Sequence, residues 1–391
     1  MKRYVKAKSL AILAMVLLLI MAGCGLDEET SSADTGKKDD EVIKIGVIIA
    51  ETGPASTLGS TQVNTVKLLQ KQLEEAGPID GKKIQLVKHD YETDDTKAVV
   101  AMDKLLSEGV VAVVGATQTS TSMAIMPKAI EHKVPLFTVA PIEQDNEYVY
   151  SMAHSNTVIV TPIVEYLNKH NIKKVGWLNA SDGFGVVGLP AFKELAEQNG
   201  IEIVAHEEFD ATATDMTIQL TKVKSKDPEA VIVWSRTPGA GIVARNFKSL
   251  GFDVPMIQST AAANQGFLDQ VKDDNENVMV VGSKLSVVEQ LPDSEQKEML
   301  LAFRDSYAAE FGGGEPDLFG AHAMDGMEII INAIKAGNFT PEDIQNYLQN
   351  ESGEYLGKTG TFNFQESQAS SLADGISVLA IENNEWKYIE E

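Results

Sequence analysis

Short apolar runs alternate along this chain with longer segments whose apolar residues recur at helical spacing. Residues 110–114 (VVAVV) form an unbroken apolar run, which is typical of a strand buried on both faces of a sheet. Residues 56–76 instead place valine or leucine every three or four positions, which predicts an amphipathic helix. This alternation continues in two series and predicts an α/β fold with two doubly wound lobes. Roughly 350 folded residues are enough for two hydrophobic cores.

The positions of these runs predict the individual elements. Strands are expected at 43–49, 83–91, 110–114, 134–140, 175–179, 201–209, 230–235, 254–259 and 277–283. Helices are expected at 56–76, from 94 or 95 to 106, and at 122–132, 157–170, 190–199, 215–225, 240–250 and 264–271. Helices at 295–311, 319–336 and 341–349 follow, with short strands around 361–364, 375–381 and 386–389. Because these last elements continue neither series, we interpret them as additions to both lobes, and the chain should cross between the lobes more than once.

The first 23 residues have the pattern of a secretion signal. Four basic residues, Lys2, Arg3, Lys6 and Lys8, precede thirteen apolar residues at 10–22. That run is too short to span a bilayer, which needs ~20 residues. A basic head, a short apolar segment and small residues after it predict a signal peptide at 1–23.

Cys24, the only cysteine, follows this segment. The junction resembles a bacterial lipoprotein signal, in which the cysteine carries the lipid and becomes the first mature residue. An incidental cysteine beside an ordinary cleavage site is the alternative. Residues 24–41 are polar and acidic, and we interpret them as a disordered tether between the lipid and the folded part. A single thiol allows no internal disulfide, so the folded part must rely on its cores.

The chain is strongly acidic, with 57 acidic against 33 basic residues and a net charge of −24. Removal of residues 1–23 takes away four positive charges and leaves −28. Such a surface repels nucleic acid and anionic membrane faces, and the sequence contains no basic patch to offset it. We therefore expect no nucleic-acid partner.

A run of hydroxyl and amide side chains follows the apolar strand at 110–114. After Gly115 come Thr117, Gln118, Thr119 and Ser120, and a helical pattern starts at once. Open α/β sheets bind ligands at the carboxyl ends of their strands, where a helix N-terminus also favours an anion. The alternative is that Thr119 or Ser120 only caps the helix, as threonine and serine commonly do.

A glycine pattern at 183–188 matches the dinucleotide-binding fingerprint G-x-G-x-x-G, and Glu207 lies about 20 residues further on. Three residues separate the predicted strand from Gly183, where a pyrophosphate-binding turn should be tight. An exported protein is also a poor place for a diffusible dinucleotide. We therefore set this interpretation aside and expect no cofactor.

Other catalytic patterns are absent from the sequence. The six histidines show no metal-ligand spacing, and there is no G-x-S-x-G turn, so neither a metal site nor a serine nucleophile is expected. Asp182, Asp210 and Asp215 each lie beside a strand–helix connection, and we interpret them as structural, with Asp215 as a helix N-cap. The sequence does not predict an enzyme.

Several segments together resemble the branched-chain amino acid (Leu/Ile/Val)-binding family of extracellular solute-binding proteins of ABC transporters. They are residues 43–59 (IKIGVIIAETGPASTLG), 79–120, 181–215 (beginning SDGFG) and 323–334 (AMDGMEIIINAI). The resemblance runs from about Val42 to the C-terminus. It implies a clamshell of two α/β lobes joined by three crossing segments, the type I periplasmic binding protein fold. By position, lobe one covers 42–155 plus 284–362, and lobe two covers 156–283 plus 363–391.

The resemblance also implies where a ligand binds in lobe one. The carboxylate of an amino acid would be held by Thr119 and Ser120. The loop after the fourth strand, Ala140 to Ile142, would add contacts. Leu58, Thr117 and Phe319 would lie near the side-chain end of the pocket.

In lobe two the sequence departs from the family pattern. Phe184 takes the position of the family's cleft tyrosine, and Thr237 stands where an aromatic residue is common. The acid that holds the ammonium should fall near Ser259–Ala262, where no carboxylate occurs. From this lobe we expect Phe184, Thr237 and Thr260 at the ligand. A buried ammonium without a counter-charge costs several kcal/mol. The site therefore suits an acid without an amine, an amide or an aromatic carboxylate at least as well as an amino acid.

Two residues at the carboxyl end of the predicted strand at 230–235 bear on the candidate site, Trp234 within the strand and Arg236 just after it. Trp234 is interpreted as a core residue. Arg236 either pairs with a second anionic group of the ligand or is solvated at the rim.

The implied function is a lipid-anchored protein at the extracellular face of the bacterial cell membrane. It would capture a small organic solute by cleft closure and deliver it to the membrane permease and ATPase of an ABC importer, acting as a monomer. The alternative is a ligand-sensing module of the same fold that reports to a membrane receptor.

Overall fold

Two sheets organise the chain in the computed structural model, which describes residues 41–142, 146–366 and 375–389. The first sheet contains β1 (Glu41–Ile49), β2 (Lys82–Asp90), β3 (Ala112–Gly115), β4 (Leu136–Thr138) and β5 (Val149–Ser151), connected in part by α1 (Ser56–Ala76), α2 (Asp95–Ser107) and α3 (Thr119–His132). Its strands are parallel in the order β2-β1-β3-β4-β5. We call this sheet and the helices packed on it the first lobe.

The second sheet begins after α4 (Asn156–Lys169). It contains β6 (Lys174–Ala180), β7 (Glu202–Phe209), β8 (Ala230–Trp234), β9 (Met256–Gln258) and β10 (Val278–Ser283), which alternate with α5 (Gly188–Gln198), α6 (Thr217–Lys224), α7 (Gly239–Ser249) and α8 (Gln265–Val271). These five strands are parallel. Strand β8 is buried along its whole length because the sheet is covered on both faces. We call this part the second lobe.

The last elements divide between the lobes. Helices α9 (Glu295–Glu310), α10 (Leu318–Lys335) and α11 (Pro341–Asn350) place apolar residues in the first core, and the hairpin of β11 (Glu354–Leu356) and β12 (Thr361–Asn363) adds Phe362 to it. Strands β13 (Ile376–Glu382) and β14 (Glu385–Tyr388) join the second sheet as antiparallel edge strands. The order of that sheet is β14-β13-β10-β9-β8-β6-β7. The chain therefore passes between the lobes three times, after β5, β10 and β12.

Most predicted elements are present, with differences at their ends. Helix α3 begins at Thr119 rather than at residue 122, and Glu41, assigned to the tether, pairs with Lys82 in the first sheet. The three-residue strands β5 and β11 were not predicted, since runs this short carry no periodicity. The predicted signal peptide, Cys24 and the rest of the tether lie outside the described residues. None of the helices in the described ranges is long and apolar enough to cross a membrane.

Candidate functional site

A cavity lies between the two lobes, beside the loops that follow β3, β4, β8 and β9. The empty space there is about 480 Å³, a volume that includes the part open to solvent. The first wall, from the first lobe and its crossing segment, consists of Leu58, Thr117, Gln118, Thr119, Val139, Ala140, Pro141, Ala153, His154, Leu318, Phe319 and His322. The second wall, from the second lobe, consists of Ile159, Phe184, Arg236, Thr260 and Ala261. Most of these side chains are apolar, and the polar ones are concentrated on the first wall.

The loop between β3 and α3 is shaped by a glycine and a serine. Gly115 has a φ of +143°, and a side chain there would lie 2.4 Å from the Ile48 carbonyl oxygen, so only glycine fits. The Ser122 hydroxyl accepts a hydrogen bond from the Ala116 N–H at 3.1 Å and donates one to the Ala116 carbonyl at 3.2 Å. These bonds fold the loop against the first turn of α3, whose N–H groups have no partner within the helix.

Thr119 supplies an unpaired hydroxyl to the first wall. The N-cap of α3 is Gln118, and no side chain bonds the first turn, so the alternative that Thr119 or Ser120 caps the helix is wrong. The Thr119 side chain is buried, and its hydroxyl has no hydrogen-bond partner among the described residues. An unpaired buried hydroxyl costs about 1–3 kcal/mol. A polar atom of a bound solute would offset that cost.

The side chains next to Thr119 are held in place from behind. The Thr117 hydroxyl accepts from the Ala50 N–H at 2.9 Å and donates to Gln62 Oε1 at 2.7 Å. The Tyr91 hydroxyl lies 3.2 Å from Gln118 Oε1, and burial raises the pKa of Tyr91 to about 12, so it stays protonated and donates. Thr117 is therefore already satisfied, whereas the buried hydroxyl of Thr119 is not.

Helix α10 begins at the cavity with a buried acid. Asp317 accepts hydrogen bonds from the N–H groups of Phe319 and Gly320, both at 3.0 Å, and from the Thr61 hydroxyl. Burial raises its pKa from an ordinary value of 3.8 to about 6. This cap fixes the start of α10 and with it the position of Phe319 on the first wall.

His322 lies one turn further along α10, at the floor of the cavity. Its side chain is 3% exposed, and neither ring nitrogen has a hydrogen-bond partner among the described residues. Its ring centre lies 5.7 Å from that of His154. Burial lowers the pKa of His322 well below its ordinary value, and His154 adds to this effect. The ring is therefore neutral, with one donor and one acceptor.

Hydrogen bonds connect α10 at the floor of the cavity to the turn between β11 and β12 and to the crossing between β5 and α4. Asp325 on α10 accepts from the N–H groups of Lys358 and Thr359, at 2.8 and 2.9 Å, and thus holds the turn between β11 and β12. The Thr359 carbonyl oxygen lies 3.0 Å from Nε2 of His154, which belongs to the crossing between β5 and α4. His154, which lines the cavity beside His322, is thereby bonded to the turn between β11 and β12, and through that turn it is connected to α10.

Aromatic stacking builds the second wall. Phe184 packs on Trp234 with ring centres 5.6 Å apart and planes inclined by 22°, and Trp234 packs in the same way on Trp177. Trp234 is fully buried, so its predicted place in the core is confirmed. Phe184 presents an apolar face that is supported from behind.

Arg236 is the only Lys or Arg among the described residues of the two walls. It forms an ion pair with Asp182, and the two side chains are 21% and 16% exposed. Asp182 also accepts from the Gly185 N–H at 2.8 Å. Arg236 thus lies on the wall with its charge already balanced by Asp182, an arrangement that neither of its two interpretations included.

Eight of the eleven predicted ligand-binding residues line the cavity. They are Leu58, Thr117, Thr119, Ala140, Phe184, Arg236, Thr260 and Phe319. Three do not. Thr237 is fully buried and accepts a hydrogen bond from Asn264 at 3.0 Å, so it braces the lobe behind the wall. Ile142 and Ser120 also lie off the walls, and the Ser120 backbone faces Gly183 of the opposite lobe.

Several residues of the walls were missed. Gln118 and Ala261 lie beside predicted residues and were within reach of the same reasoning, whereas Pro141 belongs to the loop that was predicted to add contacts. His154, Ile159, Leu318 and His322 were not, since each lies in a stretch that reads as helix or core. An isolated histidine on an apolar helix gives no signal that it faces a cavity.

The glycines at 183–188 have packing roles. A side chain at Gly185 would lie 1.9 Å from the Ala180 carbonyl oxygen, and one at Gly188 would meet the Trp234 ring at 2.3 Å. Asp215 is not the N-cap of α6, which is Met216, but it accepts from the Thr217 N–H at 2.7 Å. Within the described ranges, no cluster of His, Cys, Asp or Glu is placed to hold a metal ion.

The two lobes touch at the rim of the cavity. A side chain at Gly266 of α8 would lie 2.5 Å from the Thr57 methyl of α1, and one at Gly183 would lie 3.4 Å from Ser120. These close approaches join opposite lobes on either side of the cavity. The structure is therefore a closed form of the clamshell.

Comparison with known proteins places this geometry in a family. The family model for the periplasmic binding protein matches residues 42–370. The chain belongs to this family. Its members are solute-binding proteins rather than enzymes, in agreement with the prediction from the sequence.

The similarity to individual relatives covers most of this chain and most of each relative. The leucine-, isoleucine-, valine-, threonine- and alanine-binding protein of Pseudomonas aeruginosa is 22% identical over 90% of this chain and 91% of its own length. An extracellular ligand-binding receptor from Rhodopseudomonas palustris HaA2 has a TM-score of 0.81 at 28% identity, over 88% of this chain and 99% of its own. LivJ of Streptococcus pneumoniae, a branched-chain amino acid transporter substrate binding protein solved with isoleucine, has a TM-score of 0.78 at 25% identity, over 89% and 98%. The predicted resemblance and the two-lobed fold are confirmed.

Proposed function

We propose that this protein is the solute-binding component of an ABC importer, which captures a small organic solute in the cavity and delivers it to a membrane permease. The observation that carries the proposal is the cavity itself, which both lobes line and whose first wall bears unpaired polar groups. Family membership supports the same role.

Closure of the lobes is the proposed mechanism. A solute that contacts Thr119 on the first wall and Phe184 on the second makes both sets of contacts only when the lobes are closed. Its affinity for the closed form therefore exceeds that for the open form, and binding shifts the population towards closure. The contacts at Gly183 and Gly266 limit how far the lobes approach.

The walls favour a solute with a carboxylate or amide and without an ammonium. The described residues of both walls include no Asp or Glu, and the region from Ser259 to Ala262 contributes only Thr260 and Ala261. The α3 N-terminus and the Thr119 hydroxyl suit an anionic or amide oxygen. An ammonium in this cavity would lack a counter-charge on the described walls, at a cost of several kcal/mol.

The N-terminal region completes the proposal. Lipid on Cys24 would hold the protein at the extracellular face of the cell membrane, with residues 24–41 as a tether. We further propose lobe boundaries at 42–155 plus 284–362 and 156–283 plus 363–391, and a monomeric state. Sheet membership of the described strands supports the boundaries.

A thermal-shift screen of the mature protein against amino acids, amides and aromatic or aliphatic acids tests the binding role. We expect at least one acid or amide to raise the melting temperature, and Ala140→Leu, which narrows the cavity, to abolish that rise. Val100→Leu on the exposed face of α2 is the control and should leave the rise unchanged. No stabilisation by any small solute would contradict the proposal.

Cross-linking in membranes tests the delivery step. We expect a permease to be captured with the wild-type protein and lost with Cys24→Ala, which removes the anchor. Capture of a signalling protein instead would favour the sensing alternative.

A further inference from the structure

The floor of the cavity holds a polar side chain that the proposed function does not use. His322 is 3% exposed, and both of its ring nitrogens are unpaired within the described part of the chain. Buried polar groups are almost always hydrogen-bonded, and an unpaired one costs about 1–3 kcal/mol. The flanking residues, Ala321 and Ala323, show that this stretch of α10 is otherwise apolar. This unpaired polar side chain therefore lies at a position that lines the cavity.

The groups around His322 leave it neutral. His154 lies beside it with ring centres 5.7 Å apart, and its Nε2 is engaged by the Thr359 carbonyl. Asp325, one turn further along α10, uses its oxygens on the turn between β11 and β12. Arg236, on the opposite wall, is paired with Asp182. None of these groups is bonded to His322, and burial lowers the pKa of its imidazole.

We propose that His322 is a specificity-determining residue that hydrogen-bonds a neutral polar group of the solute, a hydroxyl or carbonyl separate from the carboxylate or amide that meets Thr119. A neutral imidazole has one donor and one acceptor, which match such a group. It supplies no negative charge for an ammonium. The solute class is therefore a small hydroxy or oxo acid. This inference rests on the proposed function.

Two matched sets of acids test the inference by isothermal titration. The first is 4-methylpentanoate, 2-hydroxy-4-methylpentanoate and leucine, which differ only in the group on the second carbon. The second is benzoate and 4-hydroxybenzoate. The wild-type protein should prefer the hydroxylated acid of at least one set by about ten- to a hundredfold, the effect of leaving a buried partner unpaired.

Two variants assign that preference to His322. His322→Leu should remove it, and His322→Gln, which keeps a donor and an acceptor, should retain part of it. Thr119→Val should weaken both members of a pair equally and leave the preference intact. Unliganded His322→Leu should be at least as heat-stable as the wild type, because it replaces an unpaired buried group, and this checks that the variant folds.

Several results would overturn the inference while the proposed function stands. One is an unchanged preference in His322→Leu, and another is tighter binding of leucine than of both related acids by the wild type. A third is uptake of about one proton per bound acid, which would mean that the carboxylate itself lies on a protonated His322. Binding of none of the five probes has the same meaning when native mass spectrometry finds a retained solute with no hydroxyl or carbonyl group apart from its carboxylate or amide. If neither a probe, a screened compound nor a retained solute binds, the proposed function fails as well.

Discussion

The first wall of the cavity carries polar groups without partners among the described residues. On the second wall, the one cation among the described residues is already paired. Thr119 and His322 are both buried, and neither has a hydrogen-bond partner among the described residues. Arg236 faces the cavity with its charge balanced by Asp182, beside the apolar ring of Phe184. The first wall is thus prepared to identify a solute by hydrogen bonds. The second wall mainly covers it and makes closure favourable.

The largest expected effect comes from keeping the walls apart. Gly266→Val places a methyl group where the Thr57 methyl already lies, since even a Cβ would be 2.5 Å away. The clash with Thr57 exists only in the closed form, so solute affinity should fall about a hundredfold. The new Cβ would also lie 3.1 Å from Asn264 Oδ1 in its own lobe, so the unliganded melting temperature should fall only slightly. Titration calorimetry with a solute found in the screen measures this.

Two companions make that result specific. Thr57→Ala in the Gly266→Val background removes the clash and should restore most of the affinity. Gly183→Ala, where a Cβ would lie at an ordinary 3.4 Å from Ser120, should change affinity by less than about twofold. Equal losses in Gly183→Ala and Gly266→Val would argue against closure as the mechanism.

The buried carboxyl group that caps α10 predicts that the stability of the protein depends on pH. The pKa of Asp317 is raised from 3.8 to about 6, so the unfolded state ionises first as the pH rises, and the folded state loses stability until the folded pKa is passed. Asp317→Asn keeps the cap but cannot ionise. Relative to the wild type, the free energy of unfolding of Asp317→Asn should rise by about 1–3 kcal/mol between pH 4 and 7. The difference between the two proteins should stay constant above pH 7.

Urea unfolding of both proteins at several pH values measures this difference. If the wild type instead became more stable relative to Asp317→Asn as the pH rises, the hydrogen bonds from Phe319, Gly320 and Thr61 would outweigh burial and keep the carboxylate charged.

Removal of the free hydroxyl on the first wall should cost affinity but not stability. Thr119→Val leaves the shape of the wall nearly unchanged and should weaken solute binding about tenfold, with the unliganded melting temperature equal or higher. Thr121→Val is the matched control, because its hydroxyl donates to Asp95 at 2.5 Å and its side chain is not on the wall. It should lower the melting temperature and spare affinity; the reverse pattern would exclude Thr119 from the site.

The smallest expected effect concerns the paired cation of the second wall. Asp182→Asn removes the charge that balances Arg236, and the affinity for an anionic solute should rise about two- to fivefold at low salt. The gain should vanish in about 0.5 M salt, where the Debye length falls to about 4 Å. It should also vanish in the double variant with Arg236→Met. A loss of affinity in Asp182→Asn would mean that the ion pair orients a side chain that the solute needs.

The difference between the walls also explains what the sequence could predict. The hydroxyl loop after β3 is a local feature, in which Thr117, Gln118 and Thr119 follow an apolar strand and precede a helix, so its position at the cavity was predictable from strand and helix order. Regular alternation likewise predicted most elements of both lobes. The pairing of Arg236 with Asp182 joins positions 54 residues apart and has no local signal.

The floor of the cavity was out of reach for the same reason. His322 lies on a helix that is buried on nearly all sides, where a polar residue is expected to find a partner in the core. Only the packing of α10 against the crossing segment of His154 shows that its ring nitrogens remain unpaired. Thr237 shows the opposite error, since a position taken from the family pattern turned out to brace Asn264 behind the wall.

Native mass spectrometry of the freshly purified mature protein tests the central claim most directly, because it identifies the solute that the closed cavity retains. We predict a small organic acid or amide that carries a hydroxyl or carbonyl group and no primary amine, and that is lost from Gly266→Val. Retention of leucine, isoleucine, valine or another amino acid with a free ammonium would contradict the account of the two walls.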